Sequence, residues 1–230
     1  MISERIEKVI SLVKKCNFAA DIGTDHAYTV IGLVKRGIAK KALACDISKG
    51  SCEKARQNII QSGLSDKISV RCGDGLDVIS PYETPDSIII SGMGGETTID
   101  ILKRGSLVLK SVDQLVLQPQ KDIEKVREFI EKSDFFIEKE FILKEEDKFY
   151  IFISAVKGKA ERPYTQAENF YGRFEECGDI FAEYINYEYA KVKNVIDNIK
   201  ENSDSNPLAI QKLELFELKR KLCEETIRCL

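Results

Sequence analysis

Four short turns in the first half of the chain concentrate residues able to bind a charged, hydrogen-bonding ligand, and each directly follows an apolar run. They are Asp21-Ile22-Gly23-Thr24-Asp25-His26, Asp46-Ile47, Gly73-Asp74-Gly75 and Gly92-Met93-Gly94-Gly95. At Gly23 no Cβ hinders close approach of backbone to a ligand. The Asp46 carboxylate, 25 residues after Asp21, can accept hydrogen bonds from both hydroxyls of a ribose. Asp74 is placed to receive the amino group of an adenine, and Gly75 keeps that pocket open. An acidic rim suits a ligand that carries a cation, whereas a pyrophosphate calls for amides and cations. S-adenosylmethionine, a sulfonium joined to ribose and adenine, matches these turns. Its expected contacts are Asp21, Gly23, Thr24, His26, Asp46, Ile47, Asp74, Gly75, Gly92 and Met93. A dinucleotide matches less well, because G-x-G-x-x-G is required and Gly23 is followed by Thr24-Asp25-His26. Asp and Gly after one strand are ordinary turn chemistry; their recurrence after successive strands is harder to explain that way.

Such turns converge only if the runs before them are neighbouring strands. In open α/β sheets ligands bind beyond the carboxyl ends of the strands, near the point where strand order reverses. The runs at 18–23, 42–47, 68–72, 87–91 and 112–118 read as buried parallel strands. Helices are expected at 28–36, 48–61 and 123–132, with another starting near Glu96. Ser3 is positioned to cap a first helix bearing Ile6, Val9, Ile10 and Val13 at helical spacing. The runs 135–143 and 149–156, joined by charged residues 144–148, predict a hairpin that makes one strand antiparallel.

Beyond 157–163 the pattern is helix alone. Phe170, Phe174, Cys177, Phe181 and Tyr184 recur at 4-3-4-3 spacing, and Tyr189, Val192, Ile196 and Ile199 resume the stripe. Residues 202–207 read as a turn and 208–230 as a second amphipathic helix. The expected architecture is therefore α/β and Rossmann-like, with a seven-stranded, mostly parallel sheet over 1–157. A C-terminal antiparallel helical hairpin, coiled-coil-like, occupies 158–230.

The 230 residues are 43% hydrophobic and 32% charged, enough apolar content for a sizeable core. A net charge of −3 leaves no global basic footprint for nucleic acid. Local candidates for phosphate contact are Lys35-Arg36, Lys40-Lys41, Lys103-Arg104 and Lys157 with Lys159 and Arg162. Seven cysteines without a C-x-x-C pair, and a single histidine, argue for reduced thiols and against a metal centre. No apolar run reaches the roughly 18 residues of a membrane span, and the N-terminus lacks the order of a secretory signal. A cytoplasmic protein with no membrane partner and no metal is expected.

The motifs Asp-Ile-Gly-Thr-Asp-His-Ala-Tyr (21–28), Asp-Ile-Ser-Lys-Gly (46–50), Gly-Asp-Gly-Leu (73–76) and Ser-Gly-Met-Gly-Gly (91–95) resemble those of the bacterial tRNA (adenine-22-N1)-methyltransferases, the TrmK family. Ser3-Glu-Arg-Ile6 and Leu117-Gln-Pro119 extend the likeness over about residues 3–157, and a helical hairpin is typical of the family. Departures are Ser51 where proline is common, Gln120 where asparagine is frequent, and Thr29-Val30 for Leu-Pro. The resemblance implies a class I methyltransferase fold, S-adenosylmethionine as cofactor and methyl transfer to N1 of an adenine in the D-loop region of tRNA, by a monomeric enzyme.

Asp25, His26 and Tyr28 are the implied catalytic residues. Asp25 would offset the positive charge of the methylated ring or accept from the adenine amino group, His26 would orient cofactor or base, and Tyr28 would stack on a base. The bland alternatives are a helix cap for Asp25, a structural His26 and core packing for Tyr28. Met93-Gly94 stand where exocyclic-amino methyltransferases carry Asn/Asp-Pro-Pro-Tyr, which suits a ring nitrogen. A small-molecule methyltransferase, and a non-catalytic interaction protein that keeps the fold, are the competing readings.

Overall fold

The computed structural model describes residues 2–80, 82–174, 178–202, 207–228 and 230. Strands form where the sequence is most continuously apolar: β1 (Cys16–Ile22), β2 (Ala39–Asp46), β3 (Ile68–Cys72), β4 (Ser87–Ser91), β5 (Gln114–Gln118), β6 (Phe135–Glu145) and β7 (Lys148–Lys157). They make one sheet in the order β3-β2-β1-β4-β5-β7-β6. The pairs β1–β2, β1–β4, β2–β3 and β4–β5 are parallel, and β7 runs antiparallel to β5. Ala19, Ala20, Leu43, Ala44, Ile88, Ile89, Ile90, Leu115, Val116 and Leu117 are all buried, as strands covered on both faces require. The strand order reverses between β1 and β4, so the carboxyl ends of these strands frame the crevice.

The helices of this part are α1 (Glu4–Leu12), α2 (Tyr28–Lys35), α3 (Lys49–Gln61), α4 (Gly95–Arg104), α5 (Ser106–Leu109) and α6 (Ile123–Glu131). Ser3 caps α1 by accepting from the Ile6 N–H at 3.4 Å, and Ser48 caps α3 by accepting from Ser51. Inside α6, Arg127 pairs with Glu140 of β6 at 2.7 Å, both side chains fully buried.

The C-terminal helices are α7 (Gln166–Tyr171), α8 (Gly178–Asn202) and α9 (Pro207–Arg228). Tyr189 reaches Glu224 and Lys200 reaches Glu217, so α8 and α9 run antiparallel. The apolar stripe that begins at Phe170 does not ride on one helix. A capping box of Thr165 and Glu168 starts α7, and Gly172 at φ 93° ends it. Cys177 and residues 203–206 of the turn expected at 202–207 fall outside the described residues, and Asn202 and Pro207 belong to α8 and α9.

The chain divides into two compact units, Met1–Glu140 with Tyr150–Glu161, and Phe141–Phe149 with Arg162–Leu230. The tip of the β6–β7 hairpin thus belongs with the helices, a grouping that strand periodicity alone does not reveal. Phe149 lies against the rings of Tyr184 and Tyr187, at 5.6 and 5.3 Å between centroids. Both strands run on through the charged stretch, which shortens the expected turn to residues 146–147.

Candidate active site

The parallel register brings the four turns to one edge of the sheet. Asp21 lies beside Ala44 and Asp46 beside Cys72, while Ser91 at the end of β4 lies beside Gln118. After β1, the N–H groups of Gly23 and Thr24 both donate to the Cys45 carbonyl, at 2.8 and 2.9 Å. Gly23 adopts φ +85°, and a Cβ there would overlap the terminal methyl of Met93. The backbone therefore requires glycine, and any side chain there would also have to displace the Met93 methyl.

Asp21 is buried and accepts a hydrogen bond from Thr24, whose hydroxyl also accepts from the Ala27 N–H at 3.1 Å. Burial pushes the Asp21 carboxyl up to about 6; the Thr24 hydroxyl opposes the shift and the Asp46 charge adds to it.

Asp25 does not cap α2. The cap residue is Ala27, in the left-handed region at φ 59° with no side-chain cap. The Asp25 carboxylate instead accepts from the Ser51 hydroxyl at 3.1 Å and from Lys54 at 3.4 Å, and it meets His26 Nε2 at 3.1 Å. Desolvation raises its pKa, but the Ser51 hydrogen bond and the fields of His26 and Lys54 outweigh this and hold it below the usual carboxylate range. His26 stacks on Tyr28 with centroids 5.3 Å apart and rings 9° from parallel. Tyr28 is 42% exposed, so core packing is not its role. The Asn58 amide donates to the His26 carbonyl at 2.9 Å and pins the loop. Ser51, Lys54 and Asn58 all come from α3 and were not singled out from sequence as site residues. The proline-to-serine departure at Ser51 was their one visible signal.

At β2, Asp46 accepts from the Ser48 N–H at 2.7 Å, and its carbonyl accepts from Gly73 at 3.0 Å. Ile47 beside it is 70% exposed and offers an apolar surface next to the carboxylate. Asp74 is held by Arg104, which donates from both Nη atoms at 2.7 and 2.8 Å. Gly75 takes φ +58° beneath Ile101.

The loop after β4 is laced to the loop after β5. Gly92 N–H donates to the Gln118 carbonyl at 3.0 Å and to its side-chain oxygen at 3.1 Å, Gln120 N–H donates to Met93 at 2.8 Å, and Gly95 N–H donates to Lys121 at 2.9 Å. A Cβ on Gly95 would stand 2.5 Å from the Asp122 carbonyl oxygen. The glycine run is therefore a close backbone approach as well as a turn. Buried Gln118, noted in the sequence only within the Leu117-Gln-Pro119 motif and not as a site residue, is its anchor.

Several of the basic candidates are already engaged. Arg36 pairs with Glu7, Arg104 with Asp74 and Asp77, and Arg162 with Glu168. Lys41 lies over the Phe18 ring, and Lys157 donates to the Lys110 carbonyl. Lys35, Lys40, Lys103 and Lys159 form no ion pair among the described residues. Among those residues there is also no group of three or more His, Cys, Asp or Glu side chains able to hold a metal ion, and no helix long and apolar enough to cross a membrane.

Comparison with known proteins agrees with this geometry. A family model described as a methyltransferase domain matches residues 2–153. The tRNA (adenine(22)-N(1))-methyltransferase of Bacillus subtilis (strain 168) is 32% identical over 98% of this chain and 97% of its own length. The crystal structure of the B. subtilis m1A22 tRNA methyltransferase TrmK superimposes with a TM-score of 0.87 at 30% identity, covering 99% of each chain. A candidate tRNA (m1A22) methyltransferase from Streptococcus pneumoniae, solved in complex with S-adenosyl-L-methionine, gives 0.86 at 29% identity over 99% of this chain and 100% of its own. Likeness of this extent, through both the sheet and the C-terminal helices, means that the chain belongs to the bacterial tRNA (adenine-22-N1)-methyltransferase family.

Proposed function

We propose that this protein transfers the methyl group of S-adenosylmethionine to N1 of an adenine in tRNA, at position 22. The carrying observation is the near full-length match to the B. subtilis enzyme, together with the acidic and glycine turns at successive strand ends. The direct test is mass mapping of modified nucleosides on tRNA incubated with protein and cofactor. N1-methyladenosine at position 22 is expected; methyl transfer only to small molecules would overturn the assignment.

The residues present fit the cofactor. Asp21 and Gly23 would hold the methionine part, with Thr24 and His26 beside it. Asp46 would take the ribose hydroxyls, Ile47 would cover the adenine face, and Asp74 with Gly75 would receive the adenine edge. Gly92 and Met93 complete the wall, and the Met93 methyl already rests against Gly23. Bound S-adenosylmethionine supplies an electrophilic methyl group on sulfur.

Adenine N1 carries an in-plane lone pair, so the enzyme has no proton to remove before attack. Its task is to align the ring and to exclude water. Methylation leaves positive charge on the ring, and Asp25, held ionised by its α3 partners, is the carboxylate that offsets it. The His26–Tyr28 stack supplies a flat face on which a base can lie. We assign catalysis to residues 1–157 and tRNA positioning to the helical part, 158–230, because a folded RNA is recognised largely by shape. Lys35, Lys40, Lys103 and Lys159, which form no ion pair among the described residues, are the phosphate contacts of this reading, which puts the protein in the cytoplasm, where tRNA is found.

Two substitutions separate the roles. Asp46→Ala is expected to weaken cofactor binding by about 1–3 kcal/mol, the scale of a lost charged hydrogen bond. Unchanged affinity by calorimetry removes Asp46 from the site. Asp25→Asn is expected to slow single-turnover methylation on the order of ten- to hundredfold, with cofactor affinity near wild type. Joint loss of binding and turnover would refute its role at the base.

A further inference from the structure

In the sequence, Lys103-Arg104 is a basic pair and a candidate phosphate contact. The structure puts Arg104 to a different use. It is the last residue of α4, and its guanidinium meets the Asp74 carboxylate edge to edge, Nη1 to Oδ2 at 2.7 Å and Nη2 to Oδ1 at 2.8 Å. Nη1 also donates to Asp77 at 3.0 Å, so the guanidinium is tied to two residues and its plane is set. Nη2 lies 3.4 Å from where a Cβ on Gly75 would stand, so Arg104 borders the small space that Gly75 leaves.

We propose that Arg104 is a positioning and specificity residue for the cofactor's base: it fixes the plane of the Asp74 carboxylate so that the site accepts a 6-amino purine and rejects a 6-oxo purine. This rests on the reading that Asp74 receives the adenine edge.

A carboxylate offers about four acceptor directions, and a bidentate guanidinium uses two of them. The remaining two are left in a fixed plane, available to an amino N–H. A 6-oxo purine presents an acceptor there instead, and two acceptors facing each other repel. A lone aspartate on an exposed turn could rotate to present its oxygens in other directions. The fork removes that freedom, and lysine, a point charge, cannot replace it.

The test compares S-adenosylmethionine with its hypoxanthine analogue, in which oxygen replaces the amino group, by calorimetry on full-length wild-type, Arg104→Gln, Arg104→Lys and Asp74→Ala proteins. Wild type is expected to prefer the adenine cofactor about a hundredfold, less than the roughly 10^4- to 10^5-fold of a fully buried hydrogen-bonding site because the Asp74 carboxylate is exposed. Arg104→Gln should cut that preference about tenfold, a change in one charged hydrogen-bond geometry. Arg104→Lys should recover little of it, and Asp74→Ala should abolish it. A merely structural role for Arg104 would lower both affinities together and leave the ratio untouched, which overturns the proposal. A preference that survives Asp74→Ala refutes the adenine-edge reading, and the proposal with it. A preference lost in Asp74→Ala but intact in Arg104→Gln refutes the role of Arg104 alone. The salt dependence of tRNA binding gives an independent readout. It should be unchanged in Arg104→Gln, and a slope reduced by about one would return Arg104 to the phosphate-contact class.

Discussion

Glu140→Ala is expected to destabilise the sheet-containing unit by about 3–5 kcal/mol, the scale for removing one partner of a buried ion pair. Glu140 and Arg127 have zero side-chain exposure and meet at 2.7 Å, so cutting back the carboxylate leaves a guanidinium that cannot reach water. Arginine does not discard its charge as a buried lysine can, because its pKa lies above about 12. The loss should appear as a lower denaturant midpoint and as faster amide exchange in α6 and β6. A paired replacement, Arg127→Met with Glu140→Leu, should recover most of it, since the attraction of such a pair roughly offsets its desolvation. A single Glu140→Ala variant within about 1 kcal/mol of wild type would mean that the Arg127 charge is compensated without Glu140. The pair sits far from the acidic turns in sequence, so the expected damage is to folding, with cofactor affinity per folded molecule retained.

The same pair marks where sequence reading ends. The strand-end carboxylates Asp21, Asp46 and Asp74 were legible because each follows its own apolar run, and a parallel sheet aligns such ends automatically. Local periodicity carries that information. Arg127 in α6 and Glu140 in β6 carry no such local signal, because their meeting depends on how the helix packs. The Arg104 pairing was hidden for the same reason: its partner lies 30 residues upstream, and the length of α4 decides the contact. For Asp25 the sequence left a helix cap open beside the catalytic role, because Asp near a helix start often is one. The left-handed Ala27 excludes that role and turns the carboxylate toward Ser51 and Lys54. The stripe from Phe170 to Tyr184 kept helical spacing across the interruption at Gly172, since residues on both sides bury apolar surface whether or not the helix is continuous. Apolar spacing reports which side chains are covered, and the covering partner is set by tertiary packing.

Asp21→Asn should make the ligand-free protein more stable at neutral pH while weakening its hold on S-adenosylmethionine. In the folded protein the Asp21 carboxyl is pushed up to about 6, with burial the dominant cause. In the unfolded chain it titrates near its ordinary value, about 3.9. The folded state therefore binds this proton more tightly, and the sign of the pH dependence follows. Below about pH 4 both states are protonated, and the carboxyl carries no penalty. Between about pH 4 and pH 6 the unfolded state ionises first, and folded stability falls as pH rises. Above that window both states are ionised and the full cost of a buried charge remains, about 3 kcal/mol from a shift of roughly two units. Asparagine keeps an acceptor for the Thr24 hydroxyl but cannot ionise. The variant should therefore exceed wild type by up to about 3 kcal/mol at pH 7.5, with the gap closing toward pH 4. Ligand binding should move the other way. The cationic cofactor offers the buried carboxylate its counter-charge, so protons and cofactor compete for Asp21 in the wild type. Wild-type affinity should fall by up to about tenfold per pH unit below pH 6, and Asp21→Asn should bind more weakly at pH 7.5 with a nearly flat profile across the same range. Denaturation midpoints and calorimetric affinities at pH 4.5, 6 and 7.5 measure both halves. A variant less stable than wild type at pH 7.5, or an affinity with the same pH slope in both proteins, would remove Asp21 as the buried charge that the cofactor neutralises.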